Sequence, residues 1–133
     1  AALPEKLGRG WLLVSIDKSR PRQGKAVIEA IATLRCRGMA DGAPPFTIVV
    51  GADADVQNID DALFHWCANS DAARDAATFT TESGATRIAF DATPKTPEDG
   101  TDAEPVRAWP PIIRMSEGVT RRVEQRWGEY GLG

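Results

Sequence analysis

Short apolar runs alternate with amphipathic segments along the first two thirds of the chain. Residues 10–16 read GWLLVSI and residues 46–50 read FTIVV. Near-continuous apolar runs of this length are typical of strands that are buried on both faces of an α/β sheet. Two further short strands are predicted at residues 76–81 and 86–90. The pattern therefore predicts four strands.

Amphipathic helices are predicted between these strands. A helix from about residue 21 to 35 is indicated by apolar residues at spacings of three and four, namely Val27, Ile28, Ile31 and Leu34. A second helix follows Asn58, which is suited to cap it. Its predicted inner face consists of Ile59, Leu63, Trp66 and Cys67. Strands and helices in this order predict a small three-layer α/β domain with a mostly parallel sheet.

The last third of the chain has a different character. Residues 93–111 contain five prolines, and proline removes backbone donors and fixes φ, so a connecting arm that is ordered in part is predicted. A terminal helix is predicted at about residues 116–130, capped by Ser116, with Val119, Val123, Trp127 and Tyr130 at helical spacing. The residues after the arm are too few to fold alone. We therefore expect one domain over residues 1–133.

Composition narrows the class of protein. The chain has 133 residues, 42% of them hydrophobic, and its 16 Lys+Arg against 19 Asp+Glu give a formal net charge of −3. This composition is typical of a globular domain, and its slight acidity argues against a nucleic-acid partner. No apolar run approaches the roughly 20 residues that span a membrane, and no signal peptide is recognised at the start. Two cysteines without a CxxC spacing favour reduced thiols, so we expect a cytoplasmic location.

Two carboxylates offer one candidate site. Asp53 and Asp55 follow the second predicted strand, at the carboxyl end where open α/β sheets place their ligands. Carboxylates spaced like this can share a hard cation such as Mg²⁺, and Lys18 follows the first strand as a lysine does in phosphoryl-transfer sites. One hypothesis is thus an independent phosphate- or magnesium-binding protein that uses Lys18, Asp53 and Asp55. The other interpretation, which the sequence leaves open, is a polar loop before a helix.

No catalytic set is predicted from the residues. The single histidine, His65, has no cysteine pair or second histidine near it, so we expect it to pack or to lie at the surface. Ser15 and Ser19 have no histidine partner at a readable spacing. We therefore assign no catalytic, cofactor-binding or metal-ligating residue to this chain, apart from the hypothesis above.

Aromatic residues concentrate near the end of the chain. Trp109, Trp127 and Tyr130 lie around the arm and the terminal helix, and Trp and Tyr are favoured anchors of protein interfaces. These three residues are the candidate interface. Packing of the same rings on the domain's own sheet is the alternative that the sequence leaves open.

The order of the segments resembles the C-terminal domain of UbiD-like decarboxylases over roughly residues 10–131. The matching positions are Val14, Ser15, Ile16, Lys18 and Pro21; Asp53, Asp55 and Val56; Asp71, Ala73, Arg74 and Asp75; Asp91, Ala92 and Thr93; and Val123 and Trp127. Their order and spacing together carry the resemblance.

The resemblance implies a part of a carboxy-lyase that depends on prenylated FMN and acts on an aromatic or unsaturated carboxylic acid. In such enzymes the proton-transfer residues and the metal-assisted flavin phosphate site lie mainly in a preceding domain, while the C-terminal domain caps the cleft and forms subunit contacts. The resemblance therefore implies that this chain is a non-catalytic assembly or lid subunit, or an excised domain. The expected partner is a catalytic large subunit or domain that binds the prenylated FMN and a metal, in a homo- or hetero-oligomer.

Overall fold

The structure is a computed structural model that describes residues 10–33, 44–81, 83–106, 113 and 115–131. Its strands are β1 (Trp11–Ile16), β2 (Phe46–Gly51), β3 (Ala76–Thr80) and β4 (Thr86–Ala92). Its α-helices are α1 (Gln23–Thr33), α2 (Ile59–Asn69), α3 (Ala72–Asp75) and α4 (Glu117–Gln125). The described residues also form short 3₁₀ turns at Pro97–Asp99 and Trp127–Tyr130.

The four strands form one mixed sheet in the order β1-β2-β4-β3. β1, β2 and β4 are parallel, with Leu13 opposite Ile48 and Ile48 opposite Phe90, whereas β3 pairs with β4 in the antiparallel direction. The prediction of four strands in a mostly parallel sheet is confirmed. Because the three parallel strands point the same way, their carboxyl ends meet at one edge.

Helices cover both faces of this sheet. Successive side chains of a strand point to opposite faces, so Ile48 and Val50 pack under α2 with Ala62, while Val49 packs under α1 with Ile28. Ile48, Val49 and Val50 are completely buried, which is the pattern of a central strand between two helical layers. The predicted three-layer α/β domain is therefore confirmed.

The second helix begins as predicted, and three of the four residues of its predicted inner face, Ile59, Leu63 and Trp66, pack against the core. The Asn58 side chain accepts hydrogen bonds from the backbone N–H groups of Asp60 (3.1 Å) and Asp61 (3.4 Å). Ala62 and His65 are the buried residues of α2, whereas Cys67 is exposed, so its placement on the inner face was wrong. Each residue turns a helix by about 100°, which places Cys67 well away from the stripe centred near Ala62.

The C-terminal helix is shorter than predicted. α4 ends at Gln125, and Trp127–Tyr130 forms a 3₁₀ turn that stops at Gly131, whose φ of 64° lies in the left-handed region. Ser116 occupies the N-cap position, but its side chain makes no capping hydrogen bond. No residue of α4 is buried. Among the helices that the structure describes, none is long and apolar enough to cross a membrane.

Candidate functional site

A crevice opens where the connections after β1 and β2 diverge. β1 leads to α1 on one face of the sheet, and β2 leads to α2 on the other. Open α/β sheets bind ligands at such a place, outside the carboxyl ends of their strands. The crevice has a volume of about 600 Å³. Three segments line it: Ile16 to Pro21, Gly51 to Asp53, and Pro94, Thr96 and Glu98.

Lys18 lines this crevice but is held by residues far along the chain. Its Nζ atom lies 2.7 Å from Asp99 Oδ2 and donates to the carbonyl oxygen of Pro94 at 2.8 Å. Its side chain is only 10% exposed. Two of the three ammonium hydrogens of Lys18 are therefore engaged with residues that follow β4.

The structure gives the two carboxylates of the predicted ligand site different roles. Asp53 lines the crevice, and its Oδ2 atom lies 3.9 Å from Nδ1 of the buried His65. Asp55 is outside the crevice lining; its Oδ1 accepts from the Gln57 N–H at 2.9 Å, and its own N–H donates to Asp61 Oδ2 at 2.7 Å. Asp55 thus stabilises the turn before α2 through these two hydrogen bonds. Binding of phosphate or magnesium at Lys18, Asp53 and Asp55 stays a prediction.

The part of the chain that the structure describes contains His, Asp and Glu side chains near the crevice, such as His65 and Asp53. Within it, no group of three or more His, Cys, Asp or Glu side chains could hold a metal ion. For His65 the sequence left packing and a surface position open; the residue is 7% exposed, so it is packed in the structure.

Asp99 joins the two sides of the crevice. We call residues 94–106 the strap. Asp99 Oδ2 accepts from Lys18 Nζ (2.7 Å) and from the Thr96 N–H (2.7 Å), and Asp99 Oδ1 accepts from the Arg22 N–H (2.6 Å). Burial alone would raise the pKa of Asp99, but these hydrogen bonds and the charge of Lys18 outweigh it and lower the pKa from 3.8 to about 2.

Acid is expected to release this contact. Because the pKa of Asp99 is lower in the folded state, its contribution to the free energy of unfolding is complete above about pH 4 and is lost as the pH falls towards 2. The contribution is about 2 kcal/mol. Asp99→Asn should therefore unfold more readily than the wild type at pH 7, and the gap should close near pH 2 in urea titrations followed by tryptophan fluorescence.

Asp102→Asn is the matched control, because Asp102 is exposed on the same strap. It should leave the pH dependence of unfolding unchanged. A constant difference between Asp99→Asn and the wild type from pH 7 to pH 2 would contradict the assignment.

A second polar cluster is buried at the end of β4. The Lys95 side chain is 3% exposed, and its Nζ donates to the carbonyl oxygens of Asp91 (2.6 Å) and Thr93 (2.8 Å). Asp91 Oδ1 lies 3.2 Å from the same Nζ and also accepts from the Thr93 hydroxyl at 2.6 Å. Burial lowers the pKa of Lys95, and the charges of Asp91 and Asp75 oppose that shift.

Arg74 and Asp75 extend this cluster to α3. Arg74 donates to both carboxylate oxygens of Asp75, with Nη2 at 2.7 Å and Nε at 3.1 Å. Asp75 Oδ2 also accepts from the Asp71 N–H at 2.8 Å, and Asp75 Oδ1 lies 3.8 Å from Lys95 Nζ. Asp71, Asp75 and Asp91, which carried part of the family resemblance, are thus used here to join α3, β4 and the start of the strap.

Sequence reasoning did not find Asp75, Lys95 and Asp99 as a structural set. Their partners lie up to 81 residues away in sequence, as for Lys18 and Asp99. The signal that could have indicated them is a charged residue, Asp91, inside the otherwise apolar β4 segment TRIAFDA. A charge in a buried strand requires partners, and lysine and aspartate follow it closely in the strap.

The candidate interface residues lie in the C-terminal segment. We call residues 115–131 the tail. In the tail, Trp127 is 53% exposed and Tyr130 is 43% exposed to solvent. Their two rings meet edge to face, with centroids 6.3 Å apart. Met115 (61%) and Val119 (42%) are exposed as well. Trp109 lies outside the described residues. The rings of Trp127 and Tyr130 are therefore not part of the domain's own core.

These elements define the class of protein: a small α/β domain whose crevice edge is closed by a strap, followed by an exposed tail. Residues 1–101 match the sequence profile of the 3-octaprenyl-4-hydroxybenzoate carboxy-lyase C-terminal domain. The chain therefore belongs to this family, the UbiD C-terminal domain. The resemblance stated from the sequence is confirmed.

Solved structures share the fold at low sequence identity. Vanillic acid decarboxylase of Sedimentibacter hydroxybenzoicus, in open form, superposes with a TM-score of 0.66 at 14% identity, covering 94% of this chain and 27% of that chain. Its closed form gives a TM-score of 0.65 at 14% identity, with 91% and 26% coverage. An evolved dimeric form of the UbiD-class enzyme HmfF from Pelotomaculum thermopropionicum, in complex with prFMN, gives 0.56 at 15%, with 84% and 21% coverage. These likenesses establish the fold.

A sequence relative is an uncharacterized protein of Aeropyrum pernix, which is 28% identical over 97% of this chain and 27% of its own length. The chain thus spans about a quarter of the length of the relatives that it matches.

Proposed function

We propose that this chain is the non-catalytic assembly or lid part of a UbiD-like decarboxylase or carboxylase that acts on an aromatic or unsaturated carboxylic acid. Family membership supports the reaction class. The chain spans only about a quarter of the length of the matched relatives. This supports a division of labour in which the catalytic residues lie in a separate domain or subunit. The catalytic partner is a large subunit or domain of the same class.

The exposed tail is the observation that carries this proposal. Trp127 and Tyr130 are large rings left half in water, next to the exposed Met115 and Val119. Burial of an apolar side chain of this size stabilises a contact by about 1.5–3 kcal/mol, and Trp and Tyr are enriched among the residues that dominate binding energy. Association with a partner would cover these side chains, so we assign the tail to the interface.

We assign the prenylated FMN and its metal to the catalytic partner. A metal that binds the flavin phosphate needs several oxygen or nitrogen ligands. Over residues 10–33, 44–81 and 83–106 and the described part of the C-terminal segment, no group of three suitable side chains could supply them. The described residues therefore do not fit the metal.

Replacement of Trp127 by alanine tests the interface. Trp127→Ala should weaken association with the catalytic polypeptide about 30-fold, the effect of losing an anchor worth about 2 kcal/mol. Its thermal stability as an isolated chain should stay close to that of the wild type, because the ring is already half exposed. Sedimentation of the mixed polypeptides gives the affinity, and thermal melting of the same variant gives the stability.

Phe64→Ala is the matched control, since Phe64 is an aromatic residue that is 67% exposed on α2. It should leave association unchanged. A loss of about 3–5 kcal/mol in the stability of Trp127→Ala would instead mean that the ring belongs to a core. Release of CO₂ from an aromatic acid by the purified chain alone would contradict the non-catalytic role.

A further inference from the structure

Arg22 has an unfavourable backbone conformation. Among the described residues it is the only one other than glycine with a positive φ, 57°. For an L-residue with a Cβ atom this region is disfavoured, because the Cβ approaches a neighbouring carbonyl oxygen. Arg22 immediately precedes α1, which starts at Gln23. Surrounding contacts must therefore hold the backbone here.

Those contacts come from the strap. The Arg22 N–H donates to Asp99 Oδ1 at 2.6 Å, and the Arg22 guanidinium donates to the carbonyl oxygen of Gly100 at 3.1 Å. The other oxygen of Asp99 accepts from Lys18 Nζ at 2.7 Å. One buried carboxylate thus binds both ends of the segment from Lys18 to Arg22.

This segment is also a wall of the crevice. Lys18, Ser19, Arg20 and Pro21 line one side, and the strap residues Pro94, Thr96 and Glu98 line another. Asp99 follows Glu98 directly, so the same carboxylate positions the strap and the β1–α1 loop relative to each other. The shape of the crevice therefore depends on whether these hydrogen bonds are made.

We propose that Asp99 is a latch through which the strap holds the β1–α1 loop in a strained conformation at Arg22 and so sets the shape of the crevice. While the hydrogen bonds are made, Arg22 stays left-handed and residues 18–21 face the strap. When they break, Arg22 relaxes to a negative φ, and this wall moves away from the strap.

A mutant cycle at positions 22 and 99 tests the latch in the isolated chain. Arg22→Gly and Arg22→Ala both remove the guanidinium bond to Gly100, so the difference between them reports the backbone conformation. If residue 22 is left-handed, the unfolding equilibrium constant of the glycine variant should be about five-fold or more below that of the alanine variant. Urea unfolding at pH 7 gives this ratio.

The same pair is then measured in the Asp99→Ala background. With the latch removed, residue 22 is free to relax, and the advantage of glycine should vanish or reverse because glycine loses more chain entropy on folding. Asp99→Asn replaces Asp99→Ala as the background if the latter does not fold. An unchanged glycine advantage in this background would overturn the latch, as would an alanine variant that equals the glycine variant in the wild-type background.

Amide hydrogen exchange supplies a second readout, at individual residues. In Asp99→Asn, exchange at the N–H groups of Arg22 and Ser19 should accelerate at least about ten-fold, since both lie in the released loop. The Asp71 N–H, which donates to Asp75 in the other polar cluster, should accelerate no more than the loss in the global free energy of unfolding accounts for. The control Asp102→Asn should change none of these rates. Equal rates in Asp99→Asn and the wild type would overturn the proposal without any bearing on partner binding.

Discussion

Replacement of Asp91 by alanine is expected to destabilise the domain by about 3–5 kcal/mol, the usual cost of leaving one partner of a buried ion pair without its counter-charge. Lys95 would keep its ammonium group buried, with Asp75 Oδ1 at 3.8 Å as its remaining anionic neighbour among the described contacts. The Thr93 N–H and hydroxyl would also lose the carboxylate oxygen that accepts from them. Urea unfolding at pH 7 measures the loss.

Two further variants separate the effect of the uncompensated Lys95 charge from the effect of removing an aspartate as such. Asp91→Ala combined with Lys95→Met should be less destabilised than Asp91→Ala alone, because the second change removes the uncompensated ammonium. Asp102→Ala, an exposed aspartate on the strap, should change the free energy of unfolding by less than about 0.5 kcal/mol. A cost below about 1 kcal/mol for Asp91→Ala would show that the cluster is not tightly buried in solution.

Gly24→Ala is expected to be the second most damaging change, with a loss of about 2–3 kcal/mol from overpacking. Gly24 is buried in the first turn of α1, and a Cβ added there would overlap the carboxylate of Asp91, which is itself 1% exposed. The carboxylate has no room to move, because Thr93 and Lys95 bind it. Thermal or urea unfolding of the purified variant gives the size of the loss.

Gly118 in α4 provides a matched control for this helical glycine. A Cβ added there meets nothing within 4 Å, so Gly118→Ala should stabilise the helix by up to about 1 kcal/mol. In the Asp91→Ala background the overlap disappears, and the additional cost of Gly24→Ala should shrink. Gly24→Ala with wild-type stability would mean that α1 does not rest on Asp91.

The contact between Gly24 and Asp91 explains why the first turn of α1 can lie against the end of β4. A helix N-terminus carries partial positive charge, and a carboxylate beside it is stabilised. Asp91 thus lies between α1 on one side and Lys95 at the start of the strap on the other. The cluster attaches the strap to the sheet close to where Asp99 attaches it to the β1–α1 loop.

Much of the fold could be predicted because strands and helices follow local patterns. The apolar run FTIVV predicted the central strand, and the observed β2 adds only Gly51. Asn58 was recognised as a cap because its side chain serves N–H groups only two and three residues away. Cys67 was misplaced because its neighbour Trp66 does face the sheet, and one residue turns the helix by about 100°.

The candidate site was harder to predict, because its contacts join distant parts of the chain. Lys18 and Asp53 were recognised at the carboxyl ends of strands, and both do line the crevice. Asp99, the partner of Lys18, was not recognised. It lies 81 residues further along the chain, in a proline-rich segment without periodicity. The exposure of Trp127 was left open as well, because helical spacing is the same for a ring on a core and for one on an interface.

The sequence by itself determined the α/β class, the family and the order of the main strands and helices. Periodicity is a property of neighbouring residues, and the order of the motifs is read directly along the chain. Only the tertiary structure decided which charges meet: Lys18 with Asp99, Lys95 with Asp91, and the Asp91 carboxylate with Gly24. Such pairs form because burial makes an unpaired charge costly, and burial depends on how the layers pack. The left-handed Arg22 has the same origin, since its conformation is held by hydrogen bonds from a strap that follows three strands later.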